Sequence, residues 1–305
     1  MVTFLRSATT AVCIAAAIQC FTVGYLAPRI PLQVCRPYVE QAEQFSFAPT
    51  PEVRIDNNDG AVRVAVHEED QILLTATIKA YAQDSETEAI AQEYVKSLLK
   101  VERSAGALKV LTEPDSRPDN LELEVDYQLT VPPGTDITIR GSNGNVWVGE
   151  ACGDITVESN NADVEVLSPG GNVSAKVANG RIVIHQAKNN TVLETVNGSI
   201  YADMLGGSLQ ASTANGNISA EMLAQDANAA NLTAMNGGIT LLLPEEYSAS
   251  IHATTGSGEV KSDIPLTELK GFRKRREFHG AIGSEGANLT MNSLNGNILI
   301  TRSTS

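Results

Sequence analysis

From residue 135 to residue 303 the chain repeats one pattern of apolar and polar positions. Asn143-Gly144, Asn161-Ala162, Asn179-Gly180, Asn197-Gly198 and Asn215-Gly216 mark a single position, separated by four equal intervals of 18 residues. Asn236-Gly237 and Ser257-Gly258 follow at intervals of 21, and Asn295-Gly296 closes the series after 38. That last interval spans two periods with one marker absent.

The hydrophobic phase around each marker is constant. Six and four residues before it stand Ile137/Ile139, Ile155/Val157, Val173/Ala175, Thr191/Leu193, Leu209/Ala211, Ala230/Leu232, Ile251/Ala253 and Leu289/Met291. Three and five residues after it stand Val146/Val148, Val164/Val166, Ile182/Ile184, Ile200/Ala202, Ile218/Ala220, Ile239/Leu241, Val260/Ser262 and Ile298/Ile300. Intervening positions such as Thr156, Glu158, Gln210 and Ser219 are polar, as strands with one dry face require. Gly153-Asp154, Gly170-Gly171, Asn189-Asn190 and Gly206-Gly207 supply a second turn between repeats.

Each repeat is therefore two short strands and two turns, a unit too small to bury its own apolar face without stacking on neighbours. The pattern predicts a mainly β protein built as a parallel β-solenoid, right-handed β-helix-like, with 18-residue coils. Rising about 4.8 Å per coil, such a body is roughly 40 Å long and aligns its turn asparagines in a ladder. An antiparallel β meander or sandwich is the alternative, since Asn-Gly also favours two-residue hairpins, but a meander needs no fixed period.

Residues 53–134 read as a separate, smaller β module. Val53 and Ile55 alternate with polar residues up to Asn58-Asp59-Gly60, and Val62, Val64 and Val66 resume the alternation, which predicts strand, tight turn, strand. Ile72 to Ala80 is a further strand. Ser85 and Glu88 form a capping box, after which Ile90, Tyr94, Leu98 and Val101 recur at helical spacing, predicting one amphipathic helix to about Lys100. Leu108 to Thr112 and Leu121 to Val131 return to period two, and Pro132-Pro133-Gly134 ends the module.

Residues 28–52 form a linker with Pro37, Pro49 and Pro51, and residues 1–27 form an address. Arg6 precedes an uncharged, Ala-rich stretch from Ala8 to Ala27, which reads as an export signal. Thr22 and Gly24 offer a cleavage site, while a run of this length also suffices to remain as a membrane anchor. Both fates stay open. Gln19 before Cys20 argues against a lipid-modified cysteine.

At this point the chain resembles the bacterial putative-adhesin family of unknown function, the DUF4097-type repeat β proteins that include relatives of the envelope-stress-associated membrane protein LiaG. The resemblance is carried by Leu98-Leu99-Lys100-Val101, by Tyr127-Gln128-Leu129-Thr130-Val131-Pro132 leading into Gly134, and by the tandem Asn-Gly-x-Ile/Val units. Leu242-Leu243-Pro244 before Ser248-Ala249-Ser250-Ile251, Gly256-Ser257-Gly258-Glu259-Val260 and Asn295-Gly296-Asn297-Ile298 complete it. It spans most of residues 53–300 and rests on the order of degenerate pieces. It implies an all-β repeat body in the cell envelope and brings no catalytic residues.

Composition narrows the function further. The 305 residues carry 22 Lys+Arg against 36 Asp+Glu, a formal charge of -14, with a pI near 4.7 and a mean hydropathy of -0.08. Such a chain lacks the clustered cations that nucleic-acid binding needs, and is neither disordered nor multispanning in composition. Of its 21 asparagines, 18 lie after residue 140, which fits repeated turns.

Outside the address, Cys35 and Cys152 are the two cysteines that could pair in an oxidising compartment. No CxxC or Cys/His cluster predicts a metal, and His67, His185, His252 and His279 are scattered, with strand phase turning His185 and His252 to solvent. Asn57 to Gly60 and Asn160 to Asp163 offer oxygens in turns, better read as turn chemistry than as calcium loops. The sequons at Asn172, Asn189, Asn197, Asn217, Asn231 and Asn288 follow from Asn near Ser/Thr in every coil. No nucleophile elbow, phosphate loop or dinucleotide fingerprint occurs. Glu158, Glu165, Glu194 and Glu221, outward by phase, are candidates for an acid/base set for polysaccharide cleavage, but they sit on different coils with no basic residues clustered beside them. Arg273, Lys274, Arg275 and Arg276, in the interval without a marker, form a basic loop suited to an anionic surface.

The expected protein is a non-enzymatic, exported cell-envelope component without cofactor, membrane-anchored or secreted, whose extended surface binds or scaffolds glycans or envelope proteins. The alternatives are an anchored regulator of envelope-stress signalling and a carbohydrate-active β-helix enzyme.

Overall fold

The computed structural model describes residues 7–303 apart from 14–37, 83–84, 97, 105, 113–120, 225–226, 266, 275 and 284–285. The first third forms β1 (Ser7–Cys13), β2 (Tyr38–Phe47), β3 (Glu52–Asp59), β4 (Val62–Val66), β5 (Ile72–Ala82), α1 (Ser85–Tyr94), β6 (Leu99–Arg103), β7 (Ala107–Thr112) and β8 (Leu121–Val131). The repeats begin with β9 (Asp136–Asn143), β10 (Val146–Val148), β11 (Ile155–Asn161), β12 (Val164–Leu167), β13 (Val173–Asn179), β14 (Ile182–Ala187), β15 (Thr191–Asn197) and β16 (Ile200–Met204). They continue as β17 (Gly207–Asn215), β18 (Ile218–Met222), β19 (Ala227–Asn236), β20 (Ile239–Leu243), β21 (Ala249–Thr255) and β22 (Val260–Ser262). The chain ends with β23 (Thr267–Lys274), β24 (Glu277–Ile282), β25 (Ala287–Asn295) and β26 (Ile298–Arg302).

These strands build two 13-stranded sheets around one continuous apolar core. Sheet A runs β1-β2-β5-β8-β4-β10-β12-β14-β16-β18-β20-β26-β22, and sheet B runs β23-β24-β21-β25-β19-β17-β15-β13-β11-β9-β3-β7-β6. Each coil places one strand in sheet B, crosses the Asn-Gly arc, and places the next in sheet A. β11 lies parallel between β9 and β13, with Asn161 opposite Asn143 and Asn179, while β12 lies parallel between β10 and β14. A step of 18 residues thus returns the chain to the same place one strand spacing further along the stack, and identical columns of side chains follow. Every apolar pair counted from the markers is buried, down to Thr191, except Val260 and Ser262 in the terminal coil, which are half-buried.

The pairing is parallel throughout the stacked coils, so the meander alternative does not describe the body. Antiparallel pairs among the described residues belong to the two ends, where β1, β2 and β5 extend sheet A from β8, β6 follows β7, and β24 and β23 follow β21. Such strands close a solenoid by covering the exposed ladder of its outermost coil.

Four local expectations change. Asn58-Asp59-Gly60 is no hairpin: β3 and β4 enter opposite sheets and form a coil, with Asp59 in register with Asn143. The sheets accordingly run through Pro132-Pro133-Gly134 without a break, β3 on β9 and β4 on β10. The helix ends at Tyr94 instead of reaching Lys100, because Leu99 to Arg103 pair with β7 as strand, Val101 opposite Val110. The interval without a marker holds the β23–β24 hairpin, after which β25 and β26 slip between the coil of Asn236 and the coil of Ser257. Spatial and sequence order therefore part at this end.

Ser7–Cys13, within the expected export segment, pairs with β2 on the edge of sheet A, while residues 14–37, including Cys35, lie outside the described residues. No helix among the described residues is long and apolar enough to cross a membrane.

Candidate functional surface on sheet B

Two features of each repeat meet along one edge of sheet B: the arc asparagine and the residue before it. The asparagines form a side-chain ladder along the stack. Asn143 Nδ2 donates to Asp59 Oδ1 at 2.6 Å, Asn161 to Asn143 at 2.6 Å, Asn179 to Asn161 at 2.9 Å, and Asn197 to Asn179 at 2.8 Å. Asn215 continues it to Asn197 at 2.7 Å, Asn236 to Asn215 at 2.9 Å, Asn295 to Asn236 at 2.9 Å, and the Ser257 hydroxyl to Asn295 at 3.1 Å. Each amide can both donate and accept, so one side chain per coil satisfies two neighbours. Beneath the ladder, the hydroxyls of Thr195, Thr213, Ser293 and Thr255 donate to the carbonyls of Gly180, Gly198, Gly237 and Gly296, which ties each strand to the adjacent arc.

Period-two alternation turns the residues one, three and five places before each marker outward. In spatial order the first of these rows reads Ser142, Asn160, Ala178, Val196, Ala214, Met235, Leu294 and Gly256. Val196 is 51% exposed, Met235 51% and Leu294 55%, although a sheet with an apolar core has no structural need for them outside. The next row begins with two cross-coil ion pairs, Arg140–Glu158 at 3.2 Å and Lys176–Glu194 at 3.3 Å, and then turns neutral at Ser212, Thr233, Asn292 and Thr254. Together the rows line an open groove of about 740 Å³ that reaches from Arg140 past Val196 to Met235. Chemically it is an apolar ridge flanked by hydroxyl and amide groups, with charge confined to one end.

Glu158 and Glu194 sit in this groove, each held in an ion pair, whereas Glu165 and Glu221 are on sheet A. Glu221 accepts from Tyr201 Oη at 3.4 Å and from Ser303. The structure does not bring the four carboxylates together. His185 keeps its outward phase with its side chain 36% exposed, and its Nδ1 lies 3.0 Å from Asp203, which also accepts the Gln186 amide where the β14 register shifts. The alternation of β14 breaks only beyond it, at Gln186, which is exposed where a buried position is due and leaves Ala187 in the core. Asn57 is buried and donates to the carbonyls of Gly60 and Val125, as turn chemistry requires.

Cys152 is buried and its thiol is pushed up to about 12 by burial; its candidate partner Cys35 lies outside the described residues. Arg273 and Lys274 close β23, Arg276 is exposed at the turn into β24, and Arg275 lies outside the described residues. The apolar row has a signal in the sequence one residue before each marker, at Ala178, Val196, Ala214, Met235 and Leu294, but as an outward position it lies outside the buried columns that define the repeat.

Comparison with known proteins agrees with this architecture. A putative adhesin from Bacteroides fragilis NCTC 9343 superposes with a TM-score of 0.51 at 12% identity, over 87% of this chain and 97% of that one. A putative adhesin from Parabacteroides merdae ATCC 43184 gives 0.40 at 8% identity, over 87% and 96%. No curated protein matches the chain. The Toastrack DUF4097 family matches residues 50–301, and the chain belongs to that family.

Proposed function

We propose that this is a non-enzymatic, exported cell-envelope protein that uses the outer face of sheet B as an adhesin-like binding or scaffolding surface for an extended glycan. The outward row of half-buried Ala178 and Ala214 and exposed Val196, Met235 and Leu294 carries the reading, since it sets apolar contacts at the spacing of successive coils beside Ser212 and Thr233. Sugar rings present apolar faces and hydroxyl rims, and such a ridge with flanking hydroxyls matches both. A face repeating at about 4.8 Å per coil suits a repeating polymer. The fold shared with a protein described as a putative adhesin supports the envelope setting.

The test is retention of the full chain on immobilised wall polysaccharide. Changing Val196, Met235 and Leu294 together to Asp is expected to weaken retention at least about tenfold, the size that about 1.4 kcal/mol of lost contact produces. Unchanged retention, with the variant still folded, would remove the groove from the reading. On the same proposal the basic sequence Arg273, Lys274, Arg275 and Arg276 supplies a separate contact to anionic surfaces. Replacing those four by Ser should reduce binding to anionic vesicles and leave glycan retention intact.

A further inference from the structure

The capped end of sheet B brings together side chains that lie far apart in sequence. β21 and β24 pair antiparallel, with His252 opposite His279 and Thr254 opposite Glu277. Alternation along both strands places these four on the outer face, beyond the apolar row. The two imidazole centroids are 3.8 Å apart with their planes inclined by 38°, and His279 Nε2 lies 3.2 Å from Glu277 Oε1. One donor atom from each of His252, His279 and Glu277 falls within 4.8 Å of the other two.

We propose that His252, His279 and Glu277 bind a divalent transition-metal ion of the zinc class. Bonds of about 2.0 to 2.2 Å arranged tetrahedrally put neighbouring ligand atoms roughly 3.3 to 3.5 Å apart. The His279–Glu277 edge, at 3.2 Å, is already close to that length, and the remaining edges close with side-chain rotation of exposed His252 against half-buried His279 and Glu277. Two imidazoles and one carboxylate are a donor set that selects zinc, nickel or copper over calcium and magnesium. The fourth position is open to solvent. Bound there, the ion clips the β23–β24 hairpin to the last stacked coil, holding the cap in place.

The probe is zinc chloride titrated into the full chain by calorimetry, with thermal unfolding in parallel. One equivalent should bind and raise the unfolding temperature, because an ion that binds only the folded state stabilises it. His252→Ala and His279→Ala should each weaken binding at least about tenfold, as loss of a ligand demands, while His185→Ala, which alters the other histidine–carboxylate contact, should leave it unchanged. Absence of stoichiometric binding, unchanged binding in the His252/His279 double variant, or loss in His185→Ala would overturn the site. Should a histidine variant misfold, cobalt(II) added to the unaltered chain decides instead: tetrahedral visible bands with imidazole ligation support the site, and their absence removes it.

Discussion

At the scale of the residue, the arc is held by two columns with different tolerances. Asn197 both donates and accepts in the ladder but is exposed, so water replaces the partners it loses. Asn197→Ala is expected to cost about 1–2 kcal/mol, seen as a lower urea midpoint. Gly180 has a φ of +140°, and a Cβ there would stand 1.9 Å from the Ala162 carbonyl oxygen. Backbone must move, so Gly180→Ala should cost more than Asn197→Ala, above about 2 kcal/mol. The opposite order would show that the ladder, not the close approach of successive arcs, holds the turn. Buried Cys152 makes an alkaline prediction. Its thiol is pushed from 9.0 up to about 12 by burial, so the unfolded chain ionises first. The associated stability is intact below about pH 9 and is lost as pH rises toward 12, by about 1.4 kcal/mol per unit. In the reduced protein, Cys152→Ala should flatten the loss between about pH 9 and 10, below the range in which buried Tyr127 and Tyr247 ionise. An equal slope in both proteins would exclude Cys152 as its source.

At the scale of the element, the two ends decide how the stack is closed. β25 and β26 are last in sequence yet lie between β19 and β21 in sheet B and between β20 and β22 in sheet A. Removing residues 284–305 therefore strips the neighbour from the coil of Ser257, although that coil is itself untouched. Hydrogen exchange should lose protection at 249–262 as well, while 155–220 keep theirs, since each coil depends on its direct neighbours. Retained protection at 249–262 would mean that the β23–β24 cap suffices. Repeats from Asn143 to Asn236 were legible as coils because period, turn residue and phase agree. The ends were not: Asp59-Gly60 offers the same turn chemistry to a hairpin and to an arc, and only the position of β9 and β10 selects the arc.

At the scale of the whole molecule, an acidic chain of formal charge -14 presents one largely neutral face. On sheet B the cross-coil ion pairs stop at Glu194, and the face beyond carries Ser212, Thr233 and Asn292 beside Met235 and Leu294. Glycan retention on this face should hardly change between low salt and about 0.5 M salt, since no net charge is screened, whereas anionic vesicle binding through Arg273 to Arg276 should collapse. Strong salt dependence of glycan retention would move the contact away from the groove. The sequence by itself determined the solenoid, its period, its buried columns and its asparagine ladder, because these depend on side chains that recur at fixed spacing and meet their own equivalents. Tertiary structure alone decided the order of the coils at each end, the joining of residues 53–131 to the repeats, and the meeting of His252 with His279. Those contacts join segments with no common spacing, and their register is set by which strand edge is left open once the regular coils have stacked.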